Sequence, residues 1–240
     1  MRHWADYFAV LLALLYLLLS THTSFTPPPP SPSSDPDISA ALQEGWSITS
    51  SNAKMTLLKK SFPPSKTLGV RGVATVDVPF GSLLTTFFDT SLSLKWVSDL
   101  HSFEEHDVNR KTHNGILRQL YRVAGGVVVT DREFLLKRAV KKSKGRRLVT
   151  VRYTSFEDEE RFPVAPGAVR SWSDETVWRF TKVDERRTKI DVLARLDPRG
   201  SLSPLLVNFI QRTWPKTSIS RLAKLAKKRN KDSGEFKDWT

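Results

Sequence analysis

The sequence predicts an α+β domain, and three observations carry that prediction. Short segments of alternating hydrophobicity follow one another as far as Leu196, joined by links too brief for crossover helices, so their sheet must be antiparallel. Helical patterns precede this meander, and a long amphipathic helix follows it. The 240 residues are 39% hydrophobic and 26% charged, enough to bury a core, which excludes wholesale disorder.

In chain order, Tyr7–Leu19 is an unbroken apolar run of 13 residues. As a helix it would span about 20 Å, short of the roughly 30 Å hydrocarbon core, which suits a signal peptide; extension to Phe25 would make an uncleaved signal anchor. Both readings stand for residues 1–25. Residues 26–40 read as a linker, because six of the 14 prolines (Pro27 to Pro30, Pro32, Pro36) lie among serines and favour extended polyproline II. Residues 41–230 read as one globular unit. Ile38 to Met55 carries a weak helical pattern with Ala41, Leu42 and Trp46. Thr67 to Val78 alternates, placing Val70, Gly72, Ala74 and Val76 on one face. Pro79 opens a helix through Leu83, Leu84 and Phe87, and Leu92 to Leu100 predicts a second short one. Strands are predicted at Ile116–Val123, Glu133–Lys141, Leu148–Tyr153, Val177–Val183 and Thr188–Leu196. Ser203-Pro204 then starts the long helix as N-cap and first-turn proline, with Pro215 expected to kink it. Residues 231–240 read as a polar tail.

Lys and Arg number 38 against 25 Asp and Glu, a formal charge of +13 that suits acidic partners, either nucleic acid or an anionic membrane surface. With no cysteine, a disulfide scaffold, a thiolate zinc site and a cysteine nucleophile are excluded. There is no G-x-S-x-G, G-x-G-x-x-G, phosphate-loop or H-E-x-x-H motif. His101, His106 and His113 match no metal-ligand spacing, and Glu157 to Glu160 reads as a solvated loop. No catalytic residue, metal or cofactor is therefore expected. Basic charge gathers in Lys137–Arg147 and in Leu205–Lys231, neither of which holds an acid. On the last helix Arg221, Lys224 and Lys228 fall opposite the Ile219/Leu222/Ala226 stripe, a pattern for docking on anionic lipid. Nucleic-acid phosphates would serve equally, but no RNP-type motif or basic helix-turn-helix supports them.

Arg138 is the most informative single residue. In its predicted strand it shares a face with Phe134, Leu136 and Val140, while Gln119 shares one with Leu117, Tyr121 and Val123. A cation on an apolar face is costly unless something pairs with it. It therefore faces a ligand's polar group in a pocket, or it pairs with a structural carboxylate, or it snorkels at the strand end.

Five motifs in order resemble the START (StAR-related lipid-transfer) domain family over about three-quarters of the chain. They are Lys95-Trp96 after Phe87-Phe88-Asp89; Arg132-Glu133-Phe134 leading to Arg138; Gly167-Ala168-Val169-Arg170; Asp197-Pro198-Arg199-Gly200; and Pro204 to Asn208 with Trp214-Pro215. The resemblance implies a helix-grip fold, a curved antiparallel sheet around the C-terminal helix with an apolar cavity between them. It implies a non-enzymatic monomer that binds a single lipid and moves it between membranes. Expected lipid contacts are Arg138, Gln119, Phe134, Leu136, Tyr153, Arg170 and Trp172. Leu206, Phe209 and Ile210 are the expected lid, and Phe156 to Gly167 the loop at the mouth. Phe162 and Val164 there, with Arg221, Lys224 and Lys228, would touch the membrane. In the family's sterol-binding branch the cavity arginine pairs with a Glu from the next strand, and the matching position here is Gln119, which puts a sterol in doubt. An enzyme on the same scaffold and a basic interaction protein without ligand are the alternatives. The leader places the chain on endomembranes, on either the cytosolic or the lumenal side.

Overall fold

The structure, a computed structural model, describes residues 35–236 apart from 66, 123–129, 144, 146 and 201–203, and only the helical backbone of 204–212. The leader and most of the expected linker lie outside the described residues, as do the side chains of Leu206, Phe209 and Ile210. Among the described residues no helix is long and apolar enough to cross a membrane.

Helix α1 (Pro36–Gln43) begins where the linker was expected to continue. The Asp35 carboxylate accepts the Asp37 N–H at 2.9 Å, and Pro36 occupies the first turn, where its missing N–H costs nothing. The helical pattern expected through Met55 stops early, at Gly45 with φ +86°. Beyond it come β1 (Ser47–Ser51) and β2 (Met55–Ser61), then β3 (Leu68–Val76). Helices α2 (Phe80–Phe88) and α3 (Ser93–Trp96) follow, then β4 (Leu100–His106), β5 (Gly115–Tyr121), β6 (Asp131–Ser143), β7 (Leu148–Ser155), β8 (Ala168–Arg170), β9 (Trp172–Lys182) and β10 (Thr188–Asp197). Helix α4 (Pro204–Arg229) ends the set.

The strands form one curved sheet in the order β1-β2-β3-β10-β9-β7-β6-β5-β4, antiparallel throughout, with β8 pairing in parallel beside β6. Strand β4 holds the polar His101–His106 segment, for which the sequence predicted no strand. It is an edge strand, so one side of it needs no apolar cover.

Helix α4 grips the concave face. Gly72 on β3 makes this possible, since a Cβ there would stand 2.9 Å from the Pro215 Cβ and 3.2 Å from the Ile219 Cδ1. Pro215 lies inside a single helix instead of dividing it. Ile219, Leu222 and Ala226 are buried with Phe87, Trp96, Trp178 and Phe180, whose rings meet 4.8–5.7 Å apart. On the convex face α1 buries Ile38 and Ala41 against Trp46, Leu58 and Val73, and Lys189 ties its start to β10 through Asp35 at 2.6 Å.

The described part of the expected polar tail packs back onto the domain. Phe236 is buried and stacks on Phe88 at 5.5 Å, and Glu235 reaches His113 at 2.8 Å. Burying one phenyl ring contributes about 2–3 kcal/mol, so the globular unit extends past residue 230.

Candidate functional site: an apolar cavity on the concave face

Side chains of β5, β6, β7 and β9 that point to the concave face meet α2, α3 and α4 around a cavity. Among the described residues its apolar wall is Phe87, Trp96, Val97, Phe103, Phe134, Leu136, Trp178, Leu196 and Trp214. The space open to the centres of water-sized groups is about 160 Å³.

Polar groups are few and occupy set positions. Arg138 stands opposite Tyr153 across β6 and β7 and opposite Gly115 across β6 and β5. Its side chain is 3% exposed; Nη1 meets Glu105 Oε1 at 2.7 Å, and Nε donates to the His113 carbonyl at 2.5 Å. The partner carboxylate thus comes from edge strand β4, two strands away, and not from the position of Gln119. Gln119 instead accepts a hydrogen bond from the Tyr121 hydroxyl at 3.0 Å. Burial pushes the Tyr153 phenol up to about 12, with Arg138 beside it pulling the other way, and burial raises Tyr121 as well. Both phenols are therefore protonated near neutral pH and cannot act as general bases; Tyr121 already donates to Gln119, while the Tyr153 hydroxyl can donate to a ligand.

The second arginine of this face, Arg132, was not singled out from sequence. It lies about 20 Å along β6 from Arg138, at six residues of strand rise, and lines the other end of the cavity near Pro198. Among the described residues only backbone carbonyls accept from it, those of Thr130 and Arg199.

The sheet brings Arg138, Gln119, Phe134, Leu136 and Tyr153 together at the cavity. Two other expected contacts belong elsewhere. Arg170 faces outward, where it and Arg118 clamp the buried Glu133 carboxylate at 3.0 and 2.9 Å. Trp172 lies under the Arg199 guanidinium at 4.9 Å and is not among the lining residues. The alternation that turns Arg138 inward turns Glu133 outward, and residues 156–167 close over that face. Arg118 also donates to the Pro163 carbonyl at 2.9 Å, and Glu133 accepts the Ala165 N–H at 3.2 Å.

That packing corrects the expected mouth loop. Phe162 is 5% exposed, with its ring 4.9 Å from His106, and cannot enter a membrane without being unpacked; Val164 beside it is half-buried. No described residue of 156–167 lines the cavity. Among its lining residues Ser98, Asp99 and Pro198 reach solvent and mark its rim. Arg221, Lys224 and Lys228 are exposed, and Arg221 donates to Ser98 Oγ at 3.3 Å, which brings the basic face of α4 to the rim.

Comparison with known proteins fits this architecture. The human START protein STARD10 superposes with a TM-score of 0.69 at 18% identity, over 83% of this chain and 82% of that one. Human StAR-related lipid transfer protein 5 gives 0.70 at 16% identity, over 96% and 100%. A STAR-related lipid transfer protein fragment from Xanthomonas axonopodis gives 0.65 at 17%, over 76% and 99%. No curated protein sequence matches the chain. The sequence pattern of the START domain matches residues 39–229, and with the curved sheet, the gripping helix and the cavity in place, the chain belongs to the START domain family.

Proposed function

We propose that the protein binds one lipid in this cavity and carries it between membranes without covalent chemistry. The observation that carries this reading is an apolar enclosure whose wall holds a buried, polar-partnered arginine. Removing a sixteen-carbon chain from a bilayer forfeits about 0.8 kcal/mol per CH₂, roughly 13 kcal/mol in all, so a carrier must offer a nearly equivalent dry site. Aromatic and aliphatic walls from seven elements supply one. Arg138, Gln119 and Tyr153 would meet a polar group of the lipid, and Glu105 leaves the Arg138 end close to neutral.

Membrane contact is assigned to the α3–α4 side of the rim. Arg221, Lys224 and Lys228 are exposed there, and Leu94 on α3, 52% exposed, offers an apolar anchor one turn before Ser98. Each basic group near an anionic surface contributes about 1 kcal/mol. The leader would hold the carrier on endomembranes, working as a monomer.

Transfer of a fluorescent lipid between vesicles by the full chain tests this. Arg138→Ala should slow transfer several-fold while co-sedimentation with phosphatidylserine vesicles stays near wild type. Loss of adhesion with unchanged transfer would overturn the role given to Arg138. Binding to RNA in place of vesicles would favour the basic interaction protein.

A further inference from the structure

We infer that the ligand is an anionic amphiphile, and that its phosphate or carboxylate is bound by Arg132 at the rim end of the cavity. The inference rests on the lipid-binding reading above and specifies which class of lipid.

Arg132 is 5% exposed yet forms no ion pair among the described residues, and its Nε hydrogen is buried without an acceptor. Its partners, the Thr130 and Arg199 carbonyls, fix the guanidinium but leave its charge uncompensated. Burial alone lowers its pKa, with no anion to restore it. Neither 123–129, Val-Ala-Gly-Gly-Val-Val-Val, nor 201–212 contains an Asp or Glu. Asp99, the one carboxylate among the described lining residues, is exposed and makes no ion pair with it.

The other buried arginines among the described residues, Arg71 and Arg138, each have a carboxylate, as does the half-buried Arg170. Arg71 is doubly bonded to Asp191 at 2.8 Å, Arg138 meets Glu105, and Arg170 meets Glu133. A buried cation with no counter-charge is costly enough that proteins rarely keep one without a use. Arg132 lines the cavity, so the missing charge is one that the occupant can bring. A guanidinium fork matches the two oxygens of a phosphate or carboxylate, and its remaining donors need such an acceptor. With the anion at Arg132, the apolar body runs along β6 toward Arg138. That end, balanced by Glu105, takes an uncharged polar group or none.

The test is uptake by the full-length chain, stripped of bound lipid, of four probes: oleic acid, phosphatidic acid, oleyl alcohol and diacylglycerol. Each charged probe should bind roughly ten- to a hundredfold more tightly than its uncharged counterpart, the yield of a charge-assisted hydrogen-bonded pair. Preference in the oleic acid pair alone would identify a fatty-acid carboxylate as the group; preference in the phosphatidic acid pair alone, a phospholipid headgroup. Arg132→Met should bring acid affinity down to that of the alcohol. Arg132→Lys, which keeps the charge without the fork, should retain part of the preference and guards against misfolding of the first variant. Equal binding of charged and uncharged probes by wild type, or a preference that survives Arg132→Met, would overturn the inference while leaving lipid binding intact. Uptake of none of the four would overturn both.

Discussion

Arg132 and Arg138 lie on the same face of the same strand, both more than nine-tenths buried, and they differ in one respect. Arg138 has a carboxylate, Glu105, at 2.7 Å; Arg132 has only carbonyls. The difference separates a charge that the fold itself completes from one that the fold leaves to its ligand. The convex face of β6 supplies the reference. There Glu133, 1% exposed, is held by two arginines and a backbone N–H under residues 156–167, and it does not line the concave-face cavity. A buried charge matched by an opposite charge of the fold is architecture; a buried charge left unmatched beside open space is a binding site.

The comparison can be broken most forcefully at its reference. Glu133→Ala strands Arg118 and Arg170 beneath the loop and should cost about 3–5 kcal/mol, or roughly 10 °C in Tm for a domain of this size, seen in thermal unfolding. If stability were unchanged, the convex network would not be the structural element assigned to it. Next in size, Glu105→Gln should cost about 2–3 kcal/mol, less because Glu105 is partly exposed, and should turn Arg138 into a second uncompensated cation. Its acid-over-alcohol selectivity should therefore rise above wild type. A smaller effect of opposite sign is expected for Arg132→Met in lipid-free protein. Removing an unpaired buried cation should leave stability equal or raise it by about 1 kcal/mol, whereas Arg138→Met should lower it by leaving Glu105 alone.

The smallest effect concerns His113, whose carbonyl holds Arg138. Burial, with Arg138 and Lys142 nearby, holds its ring below the ordinary value of 6.5 despite Glu235. The ring is therefore neutral, and because a carboxylate can only accept, Nε2 carries the proton donated to Glu235. The unfolded chain takes up a proton near pH 6.5 and the folded chain only at lower pH. Stability is full above that value and falls as the solution is acidified below it. Unfolding midpoints between pH 7.5 and 5.5 should show the decline, and His113→Gln should flatten it.

Much of the site was legible in the sequence because alternation in a strand is unforgiving: Phe134, Leu136 and Arg138 had to share a face, and the same period two residues earlier reaches Arg132. It was passed over because the apolar run was read as beginning at Phe134. Arg170 and Trp172 were misplaced because β8 is three residues long and leaves β6 in parallel, a pairing that no local pattern announces. Glu105 was missed because β4 reads as polar, and its value lies in reaching Arg138 two strands away. Strands β1 and β2 were hidden by an apparent helical period around Trp46. Gly72 stood on the correct face in the sequence, but only the approach of Pro215 gives its lack of a side chain a purpose.

The central claim is that the concave face encloses one amphiphile. Native mass spectrometry of the full-length chain, purified without added detergent, tests it directly. The account predicts a species heavier than the chain by the mass of one lipid, with that adduct lost on gentle activation and fatty-acid or phospholipid ions recovered. A bare chain that also takes up nothing after incubation with mixed vesicles would contradict it.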